Sequence, residues 1–225
     1  MLRTFADISG LNIVIDQSVQ GTVDVVLNDG RCKFAQRSSI VKVHDRGFEV
    51  VRPGVFNEAN LKRLASFMVV LVCTGNTCRS PMAEILLKKR VADRFGCKIS
   101  ELDDRGIVIM SAGISASPGG RSAAEAIETM QARGLDLTQH ESQPLSERIV
   151  RFADVVITMT RGHRQAILEA WPDAEPRVHL ISHGRGDVAD PIGGPLDLYR
   201  RCADQLDEYL EKWVTDLPLD EECGQ

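Results

Sequence analysis

Phe67-Met-Val-Val-Leu-Val-Cys73-Thr-Gly-Asn-Thr-Cys78-Arg-Ser-Pro81 joins a continuous apolar run to a glycine-containing loop and then to a serine–proline pair. An apolar run of this length without alternation is what a parallel strand buried on both faces requires. Ser80 can cap a helix and Pro81 suits its first turn, after which Met82, Ile85 and Leu86 face inward until Gly96 ends the pattern. The same rhythm recurs. Ile107–Met110, Val155–Thr158 and Val178–Ile181 read as three further strands, with helices near 121–133, 144–152 and 162–170 between them. A last helix from Pro195 to about Trp213 places Leu198 or Tyr199, Cys202, Leu206, Tyr209 and Trp213 on one stripe. Strands alternating with helices in this way predict an α/β body: a four-stranded parallel sheet with helices on both faces.

Upstream the rhythm differs. Asp24–Asn28 followed by an Asp29-Gly30 turn signal, then Ser39–Val43 and Phe48–Val51, read as three short β-branched strands of a small β-rich partial domain. Asn57 can cap a short helix with Leu61, Leu64 and Ala65 on one side. The boundaries expected are residues 1–67, a body over 68–217 and an acidic tail over 218–225. Within the 225 residues, 43% are hydrophobic and 26% charged, which is ordinary globular composition and excludes a disordered or fibrous chain. No apolar run approaches the ~20 residues that span a bilayer, and Met1–Gly10 lacks the apolar stretch of a signal peptide. The expectation is a soluble, cytoplasmic protein with no membrane partner.

Net charge is −5 and unevenly spread: residues 1–67 hold nine basic and seven acidic groups, and the remainder holds 18 and 25. An acidic body lacks the clustered positive charge that binds a phosphate backbone, which argues against nucleic acid as a partner. Six dispersed cysteines do not make a disulfide framework, and only Cys73 and Cys78 lie close together.

A Cys-x5-Arg spacing alone is weak, but its setting raises it. The loop leaves the carboxyl end of a strand, carries Gly75 and Asn76 where left-handed backbone is cheap, and opens a helix whose first amides point at whatever the loop encloses. That is an anion cradle. A helix dipole and Arg79 beside Cys73 both favour a thiolate, and the planar fork of Arg79 matches two oxygens of a phosphoryl group. Cys73 by itself would read as an inert strand-end cysteine, a reading that Arg79, Ser80 and the glycine reverse. Cys78 reads as core filler or as half of a metal pair, and no further cysteine or histidine stands at a matching spacing. The histidines at 44, 140, 163, 179 and 183 show no ligand spacing and read as surface or satisfied residues, so neither metal nor cofactor is expected.

From about Met68 to Leu217 the chain resembles the low-molecular-weight protein tyrosine phosphatase family. The likeness rests on Val72-Cys-x-Gly-Asn-x-Cys-Arg-Ser-Pro81, Ser111-Ala-Gly113, Ala153-Asp-Val-Val-Ile-Thr-Met159 and Asp190-Pro191. The resemblance implies that Cys73 attacks phosphorus to give a phosphocysteine, that Asp190, 117 residues downstream, protonates the leaving group, and that water then hydrolyses the intermediate. Arg79 and the amides of Thr74, Gly75, Asn76, Thr77, Cys78 and Arg79 would hold the phosphoryl oxygens. Ser80 would bond the cysteine sulfur and Asn76 would hold the loop in shape. Cys78 could close a reversible disulfide with Cys73 under oxidation.

Two positions depart from the tyrosine-specific pattern. Thr77 stands where a bulky aliphatic residue usually precedes the second loop cysteine, and Ile192-Gly-Gly194 stands where aromatics usually follow Asp-Pro, removing a stacking surface for a phosphotyrosine ring. Both resemble the bacterial protein arginine phosphatase branch, and Thr77 and Ile192 are taken as specificity positions. Phosphorylated proteins are then the expected partners. The alternatives are a low-molecular-weight tyrosine phosphatase, an arsenate reductase, which would need further relay cysteines, and a non-catalytic anion-binding module. Residues 1–67 more weakly resemble the C-terminal end of a YrdC-type threonylcarbamoyl-AMP synthase, through Ala6–Gly10, Asp29-Gly30, Ser38–Val43 and Arg52-Pro-Gly54. That implies either a fusion remnant with a role in tRNA modification or a gene model whose start is set too late, and residues 1–67 are expected to be inactive because the basic nucleotide-binding segment is absent. The sequence assigns no oligomeric state.

Overall fold

The computed structural model describes residues 12–14, 23–28, 38–44 and 47–219. The chain divides into two compact units, Met1–Ser66 and Phe67–Gln225. In the first, strands β1 (Asn12–Val14), β2 (Val23–Asn28), β3 (Ile40–His44) and β4 (Gly47–Arg52) form an antiparallel sheet in chain order. β1 is a strand that the sequence pattern did not single out. Helix α1 (Glu58–Ala65) starts at Asn57, whose side chain accepts a hydrogen bond from the Asn60 amide at 2.8 Å. Leu61 is buried. Ala65, expected on the same face, is exposed: it is the helix's last residue, and the chain turns to extended backbone at Ser66. The Ala6–Gly10 motif, the Asp29-Gly30 turn and the side chain of Leu64 lie outside the described residues.

The second unit holds the α/β body. Its order is β5 (Phe67–Cys73), α2 (Arg79–Arg94), β6 (Ile107–Gly113), α3 (Ala124–Gln131), α4 (Glu147–Phe152), β7 (Val155–Thr158), α5 (Arg161–Ala170), β8 (Val178–Leu180) and α6 (Leu196–Asp216). The four strands are parallel and lie in the order β6-β5-β7-β8. β5 is central, which is why its sequence is apolar without interruption. Alternate residues serve opposite faces: Val69, Leu71 and Cys73 join Met82, Leu86, Met130 and Leu206 from α2, α3 and α6, while Val70 and Val72 join Val150 and Ile167 from α4 and α5.

The chain moves from β5 to its neighbour β6, then crosses to β7 on the other side. In open parallel sheets such a reversal opens a crevice beyond the carboxyl ends of the strands, and here it falls at the end of β5, where Cys73 stands. On α6 the choice between Leu198 and Tyr199 resolves to Tyr199, which is buried while Leu198 is exposed. The boundary expected at residue 217 moves outward. Leu217 and Leu219 are both buried in the core, and Arg94 Nη2 donates to the Leu219 carbonyl at 3.1 Å. An apolar residue three places beyond a helix end can fold back onto the core, and no charge count reveals it. Residues 220–225 of the expected acidic tail lie outside the described residues. Among the described residues no helix is long and apolar enough to cross a membrane.

Candidate active site

Cys73 ends β5, and the loop 74–78 carries the chain to Arg79, the first residue of α2. Cys73, Asn76, Cys78, Arg79 and Ser80 are buried, Gly75 and Thr77 are half-buried, and Thr74 is exposed. Left-handed backbone, expected at Gly75 and Asn76, occurs at Asn76 alone, with φ of 55°. An asparagine tolerates this conformation when its amide is held locally, and here it is held completely. Nδ2 donates to Ser80 Oγ at 2.9 Å and to Ser111 Oγ at 2.8 Å, while Oδ1 accepts from the Gln143 amide at 2.9 Å. Ser111 passes its own proton to Glu84 Oε2 at 2.6 Å, and Glu84 pairs with Lys88. A buried polar network with every member satisfied fixes one geometry.

The sulfur of Cys73 sits beneath this network. The Asn76 amide points to Sγ at 3.3 Å, and Ser80 Oγ lies 2.9 Å from it. A hydroxyl has one proton to give. Because Ser80 Oγ already accepts from Asn76, and the Ala112 carbonyl is farther at 3.5 Å, the Ser80 proton is best directed at the sulfur. The end of β6 presses against the loop: a Cβ on Gly113 would come within 2.5 Å of the Thr74 carbonyl oxygen and 2.9 Å of the Asn76 nitrogen.

Arg79 is 4% exposed. Its Nη1 donates to the Val188 carbonyl at 3.1 Å, and its Nη2 donates to Thr74 Oγ1 at 3.4 Å and ion-pairs with Asp190. The fold therefore brings Cys73, Arg79 and Asp190 to one crevice. The segment carrying Asp190 is tied down where β7 passes into α5: the Val188 amide donates to Met159 O at 2.9 Å, and Asp187 Oδ1 accepts from the Arg161 amide at 2.9 Å. Ile192 is 65% exposed beyond Asp190, and its amide donates to Asp190 Oδ1 at 3.3 Å. Cys78 packs its sulfur against Tyr199 Oη at 3.5 Å and Thr77 Oγ1 at 3.6 Å, and burial pushes its thiol up. Thr77 also ties the loop to α3 through its carbonyl, which accepts from the Ala123 amide at 2.9 Å. No group of three or more cysteine, histidine or carboxylate side chains suited to a metal occurs among the described residues.

Two of the five histidines meet the loop, which the sequence did not foresee. His140 Nε2 lies 2.9 Å from the Asn76 carbonyl oxygen, and His163 Nε2 lies 2.9 Å from Thr74 Oγ1. Burial, reinforced by the neighbouring Arg79 cation, pushes His163 down to about 4, so the ring is neutral near pH 7. The readable signal was position. His163 follows the helix cap Thr160 by three residues, just past the carboxyl end of a strand, where this fold class gathers its functional groups. Ser111, Glu84 and Gln143 carried no such signal, since each joins the site only through Asn76 or its neighbours.

A buried thiol that meets a loop amide and a serine hydroxyl, at the start of a helix whose first residue is an arginine ion-paired to a carboxylate, is the arrangement of a phosphatase of the cysteine-nucleophile class. The model of the low molecular weight phosphotyrosine protein phosphatase family matches residues 68–222, and the chain belongs to that family. It is 36% identical over 156 residues to a protein-arginine-phosphatase of Bacillus subtilis, covering 68% of this chain and 97% of that protein. A protein-arginine-phosphatase of Geobacillus stearothermophilus is 31% identical over 159 residues, covering 69% and 99%. Among solved structures, a YwlE arginine phosphatase in which serine replaces the active-site cysteine and is phosphorylated superposes with a TM-score of 0.61. It is 35% identical and covers 70% of this chain and 99% of its own. The family match begins at residue 68, so it lends no support to a synthase-like origin for the first unit.

Proposed function

We propose that this phosphatase removes phosphate from phosphoarginine in proteins, by way of a phosphocysteine on Cys73. The observation that carries the reading is the threonine-containing loop, with a half-buried Thr77 where a large aliphatic residue would narrow the entrance, in a chain whose relatives include two protein-arginine-phosphatases. The phosphorylated active-site serine in the similar YwlE structure supports attack from the position that Cys73 holds here.

In the first step the Cys73 sulfur bonds to phosphorus, the phosphorus–nitrogen bond breaks, and Asp190 gives its proton to the departing guanidino nitrogen. In the second, water attacks phosphorus, its proton returns to Asp190, and the sulfur–phosphorus bond breaks to release phosphate. Arg79 and the loop amides hold the three non-bridging oxygens through both steps. Asp190 lies against Arg79 in this structure, so a bound phosphoryl group takes over the arginine, and the carboxylate released from the ion pair takes up a proton from solvent and faces the leaving group as the acid. Cys78, buried next in the same loop, is the partner for a protective disulfide: peroxide converts the Cys73 thiolate to a sulfenic acid, and the Cys78 thiol displaces water from it.

An arsenate reductase reading needs cysteines that relay a disulfide outward. Cys97 lies beyond the far end of α2, about 24 Å along a 16-residue helix from the loop. Burial pushes Cys202 up to about 12, which keeps it a thiol. The deciding experiment presents phosphoarginine, phosphotyrosine and arsenate side by side to the full chain and to Cys73→Ser. The proposal expects the highest kcat/KM on phosphoarginine and no turnover by the variant. A phosphotyrosine preference returns the tyrosine-phosphatase reading, and arsenate reduction with a thiol donor returns the reductase reading.

A further inference from the structure

The hydroxyl of Thr74 has more hydrogen-bonding traffic than a loop residue at the mouth of a crevice needs. Two nitrogens converge on its oxygen, Arg79 Nη2 at 3.4 Å from one side and His163 Nε2 at 2.9 Å from another, yet the residue itself is exposed. His163 is not on the surface; it is 4% exposed, and its other ring nitrogen, Nδ1, is buried with no partner among the described residues. A neutral imidazole carries one proton. Leaving a buried N–H without an acceptor is costlier and rarer than leaving a lone pair unused. The proton therefore belongs on Nε2, where it is donated to Thr74 Oγ1.

The consequence lies in the hydroxyl's arithmetic. An oxygen that accepts from both His163 and Arg79 has filled its two acceptor directions, and its single proton must point elsewhere. Thr74 is exposed, so that direction is not closed off by the protein, and one of the two donors on its oxygen is Arg79, the group that holds the phosphoryl oxygens in the reading above. We propose that Thr74 is a further phosphate-binding donor, supplying its side-chain O–H to an oxygen of the bound phosphoryl group, and that His163 is the positioning residue that aims it. This rests on the phosphatase reading above and adds to it a side-chain contact distinct from the loop amides. The neutrality of His163 is consistent with this: an imidazolium there would stand beside the Arg79 cation and would bury a second N–H, on Nδ1, without a partner.

The arrangement is specific about coupling. If His163 acts only through Thr74, removing both cannot be worse than removing Thr74 alone. The experiment titrates inorganic phosphate onto the full chain and onto Thr74→Val, Thr74→Ser, His163→Ala, His163→Gln and the double variant Thr74→Val/His163→Ala. Each protein is checked for an unaltered near-ultraviolet circular dichroism spectrum. Thr74→Val should weaken phosphate about tenfold, the usual effect of losing one hydrogen bond to a charged group. His163→Ala should weaken it by less, Thr74→Ser and His163→Gln should bind within about twofold of the parent because each keeps the needed donor, and the double variant should match Thr74→Val. Parent-like affinity in Thr74→Val overturns the proposal, and so does a double variant whose loss is the product of the two single losses. Should His163→Ala disturb the fold, the Thr74→Val and Thr74→Ser pair still decides. The readout is binding, so it stands apart from substrate choice: a chain that binds phosphate in this pattern but turns over no phosphoarginine sinks the proposed substrate and leaves this inference intact.

Discussion

At Asp190 one carboxylate has two partners in turn, and that sets what its removal does. In this structure it is ion-paired to Arg79; in the proposed mechanism it faces the leaving atom once a phosphoryl group is bound. General-acid help matters most for poor leaving groups and is worth about 10²–10⁴-fold. Asp190→Ala should therefore slow phosphoarginine hydrolysis by about that factor while sparing an aryl phosphate with a strongly acidic phenol, as steady-state rates on the two substrates would read; equal losses on both would remove Asp190 from the acid role. Thr77 makes a different kind of prediction, because it contacts Cys78 and α3 but not the sulfur of Cys73. Thr77→Ile adds apolar bulk where a guanidinium enters and leaves the phosphate cradle alone, so kcat/KM for phosphoarginine should fall by roughly 10–200-fold relative to phosphotyrosine. Absolute gains on phosphotyrosine should be small, since Ile192, Gly193 and Gly194 offer no ring to stack on. Parallel changes on both substrates would reduce Thr77 to a loop-packing residue.

Between elements, the close approach is the end of β6 against the loop that follows β5. Gly113 has no room for a side chain: a methyl group would meet the Thr74 carbonyl and the Asn76 amide, both backbone atoms that cannot swing away, as well as the Ala116 side chain. Gly113→Ala must displace the loop by a sizeable fraction of an ångström, and misplacement of that size costs on the order of a hundredfold in rate. The expected result is a fall of about that size in kcat/KM on every phosphate substrate, with an overpacking cost of about 1–3 kcal/mol in a denaturant melt. An unchanged rate would show that the loop tolerates movement. This contact also marks what the sequence disclosed. β5 and the helix after its loop were readable because burial on both faces demands an unbroken apolar run and Pro81 suits a first helical turn, but Ser80, read as the helix cap, is the second residue of α2, whose cap position is Cys78, and its hydroxyl serves the Cys73 sulfur instead. Ser111 and Gly113 appeared only as a short motif, whose pressing on the loop is a matter of register between parallel strands, Cys73 against Gly113. His140 was invisible for the same reason, its partner lying 64 residues away with nothing local to set it apart from a surface histidine; His163, whose partner lies 89 residues away, offered only its place three residues past the Thr160 cap at a strand's end.

For the whole molecule, the division at residue 66 sets apart the unit that holds every side chain described around Cys73. Every side chain placed around Cys73, from Thr74 to Asp190 and including both bracing histidines, belongs to the unit that starts at Phe67. So do the two apolar layers on either face of the β6-β5-β7-β8 sheet, which take their residues from β5 through α6 and the Leu217–Leu219 segment. The Bacillus and Geobacillus relatives match over 97% and 99% of their own length while covering 68% and 69% of this chain, so proteins of that size hold the whole of this body and little else. A body of about 150 residues is also large enough to bury a self-sufficient core. Residues 67–225 produced alone should therefore fold cooperatively, show the far-ultraviolet circular dichroism of an α/β protein, and hydrolyse an aryl phosphate with kcat/KM within about twofold of the full chain, an allowance of under 0.5 kcal/mol. A fragment that folds but loses phosphoarginine turnover while keeping aryl phosphate turnover would assign the first unit to recognition of the protein substrate, and a fragment that fails to fold would make that unit part of the body's stability.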